Sequence, residues 1–157
     1  MTPSPPPLHQ IVALVLWRWL DDIACQSGGL ALAAPLDTAL ADHTVVQPDV
    51  LYVTRERISI VRERIEGAPD LVIEVLSPST AWRDRGEKLR AYAEFGVREY
   101  WPVDPVARHI EFLVNHEGRF EVALPLDGIY RSGVFPEVTL DLAEMWIAVE
   151  KRMSSLP

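Results

Sequence analysis

The run "APDLVIEVLSPST", residues 68 to 80, constrains the chain more than any other stretch. Leu71, Val72, Ile73, Val75 and Leu76 are apolar at both parities, so a strand formed here has neither face in water. Glu74 stands in the middle of it. An isolated buried carboxylate either holds its proton through a raised pKa or needs a cation beside it. The cation could be a metal ion, a lysine, or both.

At 157 residues the chain fits one domain with a real core. Its 48% hydrophobic and 24% charged residues are those of a folded globular protein rather than a disordered one. The formal net charge of −8 excludes a basic nucleic-acid footprint spread over the whole surface. Arginines and lysines do cluster at 55 to 64 and 83 to 90, but acids interleave them, as on solvated faces. The longest apolar stretch, residues 11 to 17, is too short to cross a membrane, and no export signal is visible. Cys25, the single cysteine, forms no internal disulfide, and a cytoplasmic location is the expectation.

Residues 1 to 7 read as a flexible proline-rich lead, and 8 to 153 as a single domain. Helical spacing predicts a first helix from about Leu8 to Gln26, stopped by Gly28 and Gly29. Strands are expected at 30 to 37 and 45 to 53, with the charged stretch 55 to 66 ambiguous. After the Glu74 strand, Ser79 or Thr80 suits a helix cap, and a helix runs from about Ala81 to Phe95. "REYWPVD" reads as a strand whose Pro102 asks for an edge position or a bulge, and its apolar side offers a contact surface. A hairpin around His116, Glu117 and Gly118 and a helix capped near Asp141 complete the order. That order implies α/β or α+β with a mixed sheet.

Asp49 opens another strand, straight after Pro48. If the two strands are neighbours, Asp49 and Glu74 converge on a hard cation, for which Mg2+ (or Mn2+) is suited. Lys88 lies about two turns into the following helix, which a right-handed connection lays across the sheet. Asp84 shares its helix face. Other roles stay open. Asp70 has the parity of Glu74 but sits too far along the strand to share one metal, and a capping or arginine-pairing place suits it. Ser77 could donate to Glu74 or a phosphate, or simply form the turn. Glu74 could instead be satisfied by Arg83 or Arg85. A G-x-S-x-G turn is missing, and His43, His109 and His116 are too scattered for zinc.

"VVQPD" at 45 to 49, "GAPDLVIEVLSPST" at 67 to 80 and "DRGEKLRAYAEFGVREYWPVDP" at 84 to 105 resemble the Uma-two family. "YRSGVFPEVTLDLAEMW" at 130 to 146 is similar to that family's ending. The family is placed among restriction endonuclease-like domains of the PD-(D/E)xK superfamily. The resemblance implies a restriction-endonuclease-like fold, a mixed central sheet flanked by helices with acids on two adjacent strands. It maps the superfamily's first acid to Asp49 and its second to Glu74, with 24 residues between them. The usual lysine position holds Leu76, so the lysine role passes to Lys88. A "YELIDGEL"-like stretch common before the first helix has no counterpart here, and His9 could supply part of what it carries.

The reading is a metal-dependent endonuclease hydrolysing phosphodiester bonds of nucleic acid, with DNA the expected substrate, no membrane partner and a possible homodimer. Asp49 and Glu74 are its metal ligands and Lys88 its third catalytic residue. The alternative is a catalytically inactive nuclease-fold protein serving as an interaction module.

Overall fold

A proline at the first helical position loses no intrahelical bond, because that amide has no partner in the helix. Helix α1 accordingly starts one residue earlier than expected and spans Pro7–Ser27. Gly28, at φ 78°, takes the left-handed stop, and its amide bonds to the Ala24 carbonyl at 2.9 Å. The computed structural model describes residues 4–77 and 83–156, without the side chains of residues 83–85. The cap expected at Ser79 or Thr80 lies outside the described residues.

The strands follow as β1 (Leu30–Ala33), β2 (Thr38–Ala41), β3 (Thr44–Val46), β4 (Val50–Val53), β5 (Ile65–Glu66) and β6 (Leu71–Val75). Helix α2 (Arg83–Glu94) then leads to β7 (Glu99–Asp104), β8 (His109–Ile110), β9 (Phe112–His116) and β10 (Arg119–Ala123). Strands β11 (Ile129–Arg131) and β12 (Thr139–Asp141) precede helix α3 (Leu142–Met153). The Asp141 side chain caps α3 by accepting the Glu144 amide at 3.0 Å, as expected.

The seven-stranded main sheet runs β1-β4-β6-β7-β9-β10, with β8 also on β7. Within this sheet β6 and β7, joined by α2, pair in parallel and the other described pairs are antiparallel, so the sheet is mixed. Every residue of β6 is buried, which explains its run of apolar residues at both parities. Leu71, Ile73 and Val75 face a core shared with α1 and α3. Val72 faces the opposite core, with Tyr92 of α2, Tyr100 and Leu113. The side chain of Glu74 therefore emerges on the α2 side.

Three expectations are changed or resolved. The single strand read over 45 to 53 is cut at Gln47 to Asp49: β3 belongs to a small sheet, β3-β2-β5, and β4 to the large one. Pro48 lacks the amide that would carry a ladder through. The ambiguous 55 to 66 region forms a 3-10 helix, Arg55–Ile60, and then β5.

The third change concerns Pro102. Its strand is interior, not an edge, with Tyr100, Trp101 and Val103 buried, so that stretch offers no contact surface. The sheet accommodates the proline by interruption. β9 pairs β7 at Glu99 and Tyr100, β8 pairs it at Val103 and Asp104, and between them the Pro102 carbonyl accepts the Glu111 amide at 3.0 Å. The missing donor falls in the gap between β8 and β9.

On the same strand Glu99 is buried and accepts four hydrogen bonds. They come from Trp101 Nε1 at 2.9 Å, Tyr130 OH at 3.1 Å, Ser132 Oγ at 2.9 Å and the Gly133 amide at 2.8 Å. This network ties the segment after β11 to the centre of the sheet.

Candidate active site

Antiparallel pairing sets Val50 of β4 opposite Ile73 of β6, and continuing that register brings Asp49 opposite Glu74. Asp49 Oδ2 accepts the amide of Val75, the residue after Glu74, at 2.8 Å. The two acids separated by 24 residues of chain are thus neighbours across one strand pair.

Glu74 is held from α2. Lys88 Nζ lies 3.1 Å from Oε1 and 3.2 Å from Oε2, and Tyr92 OH donates to Oε1 at 2.6 Å. Lys88 and Tyr92 are four residues apart, one above the other on the helix. The βαβ connection brings this face down over β6, which is how an amine 14 residues downstream reaches the buried acid. Burial raises the Glu74 pKa above its ordinary value and the Asp49 charge adds to this, against the opposing pull of Lys88 and Tyr92. Burial and the facing carboxylate also push the Tyr92 phenol far above its usual range, so its hydroxyl is a donor and not a base.

His9, in the first turn of α1, places Nε2 3.4 Å from Asp49 Oδ2. Its hydrogen bond to Asp49 raises the imidazole pKa; the charges of Asp49 and Glu74 and the Val75 main chain add to this and outweigh burial. Its Nδ1 is buried with no hydrogen-bond partner among the described residues.

The structure therefore brings together Asp49, Glu74, Lys88 and His9. Asp70 is elsewhere: fully buried just before β6, it accepts the Thr54 amide at 2.8 Å and faces Arg57 at 3.4 Å and Arg98 at 3.5 Å. Its place is the arginine-paired one. Ser77 is half-buried two residues past the end of β6. The side chain of Asp84 lies outside the described residues, as do those of Arg83 and Arg85. Leu76, where the sequence resemblance looks for a lysine, sends its amide to the Val103 carbonyl at 2.8 Å, continuing the sheet. Tyr92 was not among the expected residues; its spacing from Lys88 was the available signal.

Could these groups hold a divalent cation? Burial, more than the Asp49 charge, raises the Glu74 pKa in spite of Lys88 and Tyr92, so a further positive charge beside the two acids would favour the ionised form. Among the described residues no group of three or more His, Cys, Asp or Glu side chains is arranged to hold a metal by itself. Two carboxylates with water and a phosphate completing the shell is the usual way of Mg2+, and the donors here fit that mode.

A sequence model of Uma2, described as "Putative restriction endonuclease", matches residues 1–150. The chain belongs to the Uma2 family. A crystal structure described as that of "a putative nuclease belonging to DUF820 from Anabaena variabilis ATCC 29413" superposes with a TM-score of 0.75 at 20% identity. The likeness covers 94% of this chain and 84% of that one, and it shows a shared fold. No curated protein matches. The Uma2 chain thus has the mixed sheet with flanking helices that the sequence motifs implied. No helix among its described residues is long and apolar enough to cross a membrane.

Proposed function

We propose that this Uma2 protein is a metal-dependent endonuclease that hydrolyses phosphodiester bonds of nucleic acid, with DNA as the substrate the family description suggests. The observation that carries the reading is the placement of Asp49, just before β4, beside Glu74 of the paired β6, with the Lys88 amine 3.1 Å from Glu74. Asp49 and Glu74 are the ligands for Mg2+, or Mn2+ in its place. A cation bound there would polarise the phosphodiester and lower the pKa of an attacking water. Lys88 orients that water or offsets the charge gathering on the phosphoryl oxygens. Tyr92 fixes Glu74 Oε1, and His9 backs Asp49. The exposed Cys25 suits a reducing compartment, in keeping with a cytoplasmic setting.

A homodimer belongs to the same proposal, and β10 is the surface it fits best. This strand is an edge of the sheet. Val122 and Leu124, 58% and 83% exposed, continue the apolar face begun by Phe120. Sedimentation of the wild type against Val122→Lys reads this directly; a monomer in both cases removes the dimer.

An inactive interaction module is the competing reading, and the already satisfied Lys88–Glu74–Tyr92 network favours it, since such a network also suits a scaffold. Calorimetric titration with Mn2+ of wild type and Glu74→Gln separates the two. The nuclease reading expects clear binding by the wild type and loss in the variant, with Mg2+-dependent nicking of plasmid DNA abolished by Lys88→Ala. Equal weak binding by both proteins supports the module.

A further inference from the structure

A cavity of about 470 Å3 opens beside Asp49 and has no part in the reaction as drawn above. His9 and Asp49 form part of its wall, so it is continuous with the candidate site. Ala13 and Leu14 of α1, with Ala33 and Pro35 at the end of β1, give it an apolar lining, and Gln10 adds one amide. Leu14 is 53% exposed, an apolar side chain left towards solvent where the cavity lies.

The lining excludes one occupant and suits another. A polynucleotide backbone carries a charge at every phosphate, and surfaces that track it do so with lysine and arginine. The described residues that line this cavity include neither, and a carboxylate borders it. The uncharged part of a nucleotide is its base and sugar, and a largely apolar cavity of this size accommodates such a group. An amide such as that of Gln10 offers both a donor and an acceptor, which is what a base edge requires. In a duplex the base is stacked and paired, and it reaches a lateral pocket only once unpaired.

We infer that this cavity is a subsite for an unpaired nucleobase next to the scissile phosphate, so that the substrate class is single-stranded or frayed nucleic acid rather than intact duplex. The inference rests on the nuclease reading and deepens it. The base enters between α1 and the end of β1, and its phosphate meets the Asp49 and Glu74 side of the same opening. Selectivity for strandedness then comes from a small apolar pocket and not from a basic groove.

The test is calorimetric binding of deoxyadenosine monophosphate in the presence of Mn2+, with inorganic phosphate as the comparison probe, to wild type and the uncharged variant Leu14→Asn. Leu14 is exposed, so the variant keeps its core. The expected result is nucleotide binding tighter than phosphate in the wild type, weakened by about tenfold or more in Leu14→Asn, from the lost apolar contact. Binding of phosphate and of Mn2+ alone stays within about twofold, as the binding energy lost is that of the base contact alone. A single-stranded oligonucleotide is cut faster than its duplex by the wild type, and the variant loses that preference.

Nucleotide binding no tighter than phosphate, or equal in the two proteins while Mn2+ still binds, overturns the subsite and leaves the nuclease reading standing. If Mn2+ does not bind at all, the nuclease reading falls and takes the subsite with it. The two failures are distinguishable from the metal titration alone.

Discussion

Asp49 accepts the main-chain amide of Val75 at 2.8 Å, so a side chain just before β4 completes the hydrogen bonding of β6. The carboxylate is thereby as fixed as the sheet itself. Asp49→Ala leaves that amide without its acceptor and costs about 1–3 kcal/mol of stability. Asp49→Asn retains an acceptor oxygen and loses less, yet both variants lose Mn2+ affinity. Urea unfolding beside calorimetry checks this; equal destabilisation by Ala and Asn would show that the bond to Val75 contributes little.

Lys88 and Tyr92 hold Glu74 differently, and their removal separates the two roles. Lys88→Met takes away the cation nearest Glu74 and drives its proton affinity further up. A loss in cleavage rate of about 100-fold or more is expected, the size seen when one charge-stabilising donor is removed. Tyr92→Phe removes a hydrogen bond to a carboxylate, costing about 2 kcal/mol of stability. Its effect on rate is smaller than that of Lys88→Met. A Tyr92→Phe rate as low as that of Lys88→Met would place the phenol in the reaction itself.

Glu74 and His9, the two groups flanking Asp49, bind protons more tightly folded than unfolded. The Glu74 pKa is raised by burial, and that of His9 by its hydrogen bond to Asp49. For each, the folded state holds the proton after the unfolded chain has released it, so stability falls as pH rises. The contribution from Glu74 is fully present below its ordinary value of 4.5 and is lost as pH climbs through its raised folded value. That from His9 is present below 6.5 and is lost above, through its own raised value. Urea unfolding at steps from about pH 4 to about pH 9 should show two declining segments. Glu74→Gln removes the lower one and His9→Gln the upper. Stability that rises across either window contradicts the assignment.

Glu99→Ala strips the acceptor from Trp101 Nε1, Tyr130 OH, Ser132 Oγ and the Gly133 amide together. Breaking a buried network of this kind costs about 3 kcal/mol or more. Hydrogen exchange at residues 129 to 134 should speed up, because the tie to β7 is gone. Mn2+ binding should persist, since Glu99 is not among the contacts of Asp49 or Glu74. Loss of metal binding in the folded variant would show that the two regions are coupled.

The site was legible in the sequence where one residue broke a strong local pattern. Glu74 interrupts an apolar run, and its burial follows from the run itself. Asp49 and Lys88 were reachable from it through strand adjacency and the handedness of the crossover. A tyrosine in a helix by itself gives no sign of a site, and Tyr92 is buried like a core residue; only the contact to Glu74 reveals its second duty. The register that seats Asp49 opposite Glu74 depends on pairing between distant strands, which local patterns do not encode. In the fold, the caps at Gly28 and Asp141 were readable because their chemistry is local. The break at Pro48 and the interior place of Pro102 were not, since each depends on which strand lies alongside.

The gap at Pro102 also acts as a lock on alignment. A two-residue slide of the β8–β9 segment along β7 would set a regular ladder position against the proline nitrogen, which has nothing to donate. That misaligned sheet is penalised while the native one is not, so the proline excludes the wrong arrangement. Because Pro102 is the parallel partner of Glu74, the place in β7 that rejects slippage lies beside the buried acid of the candidate site.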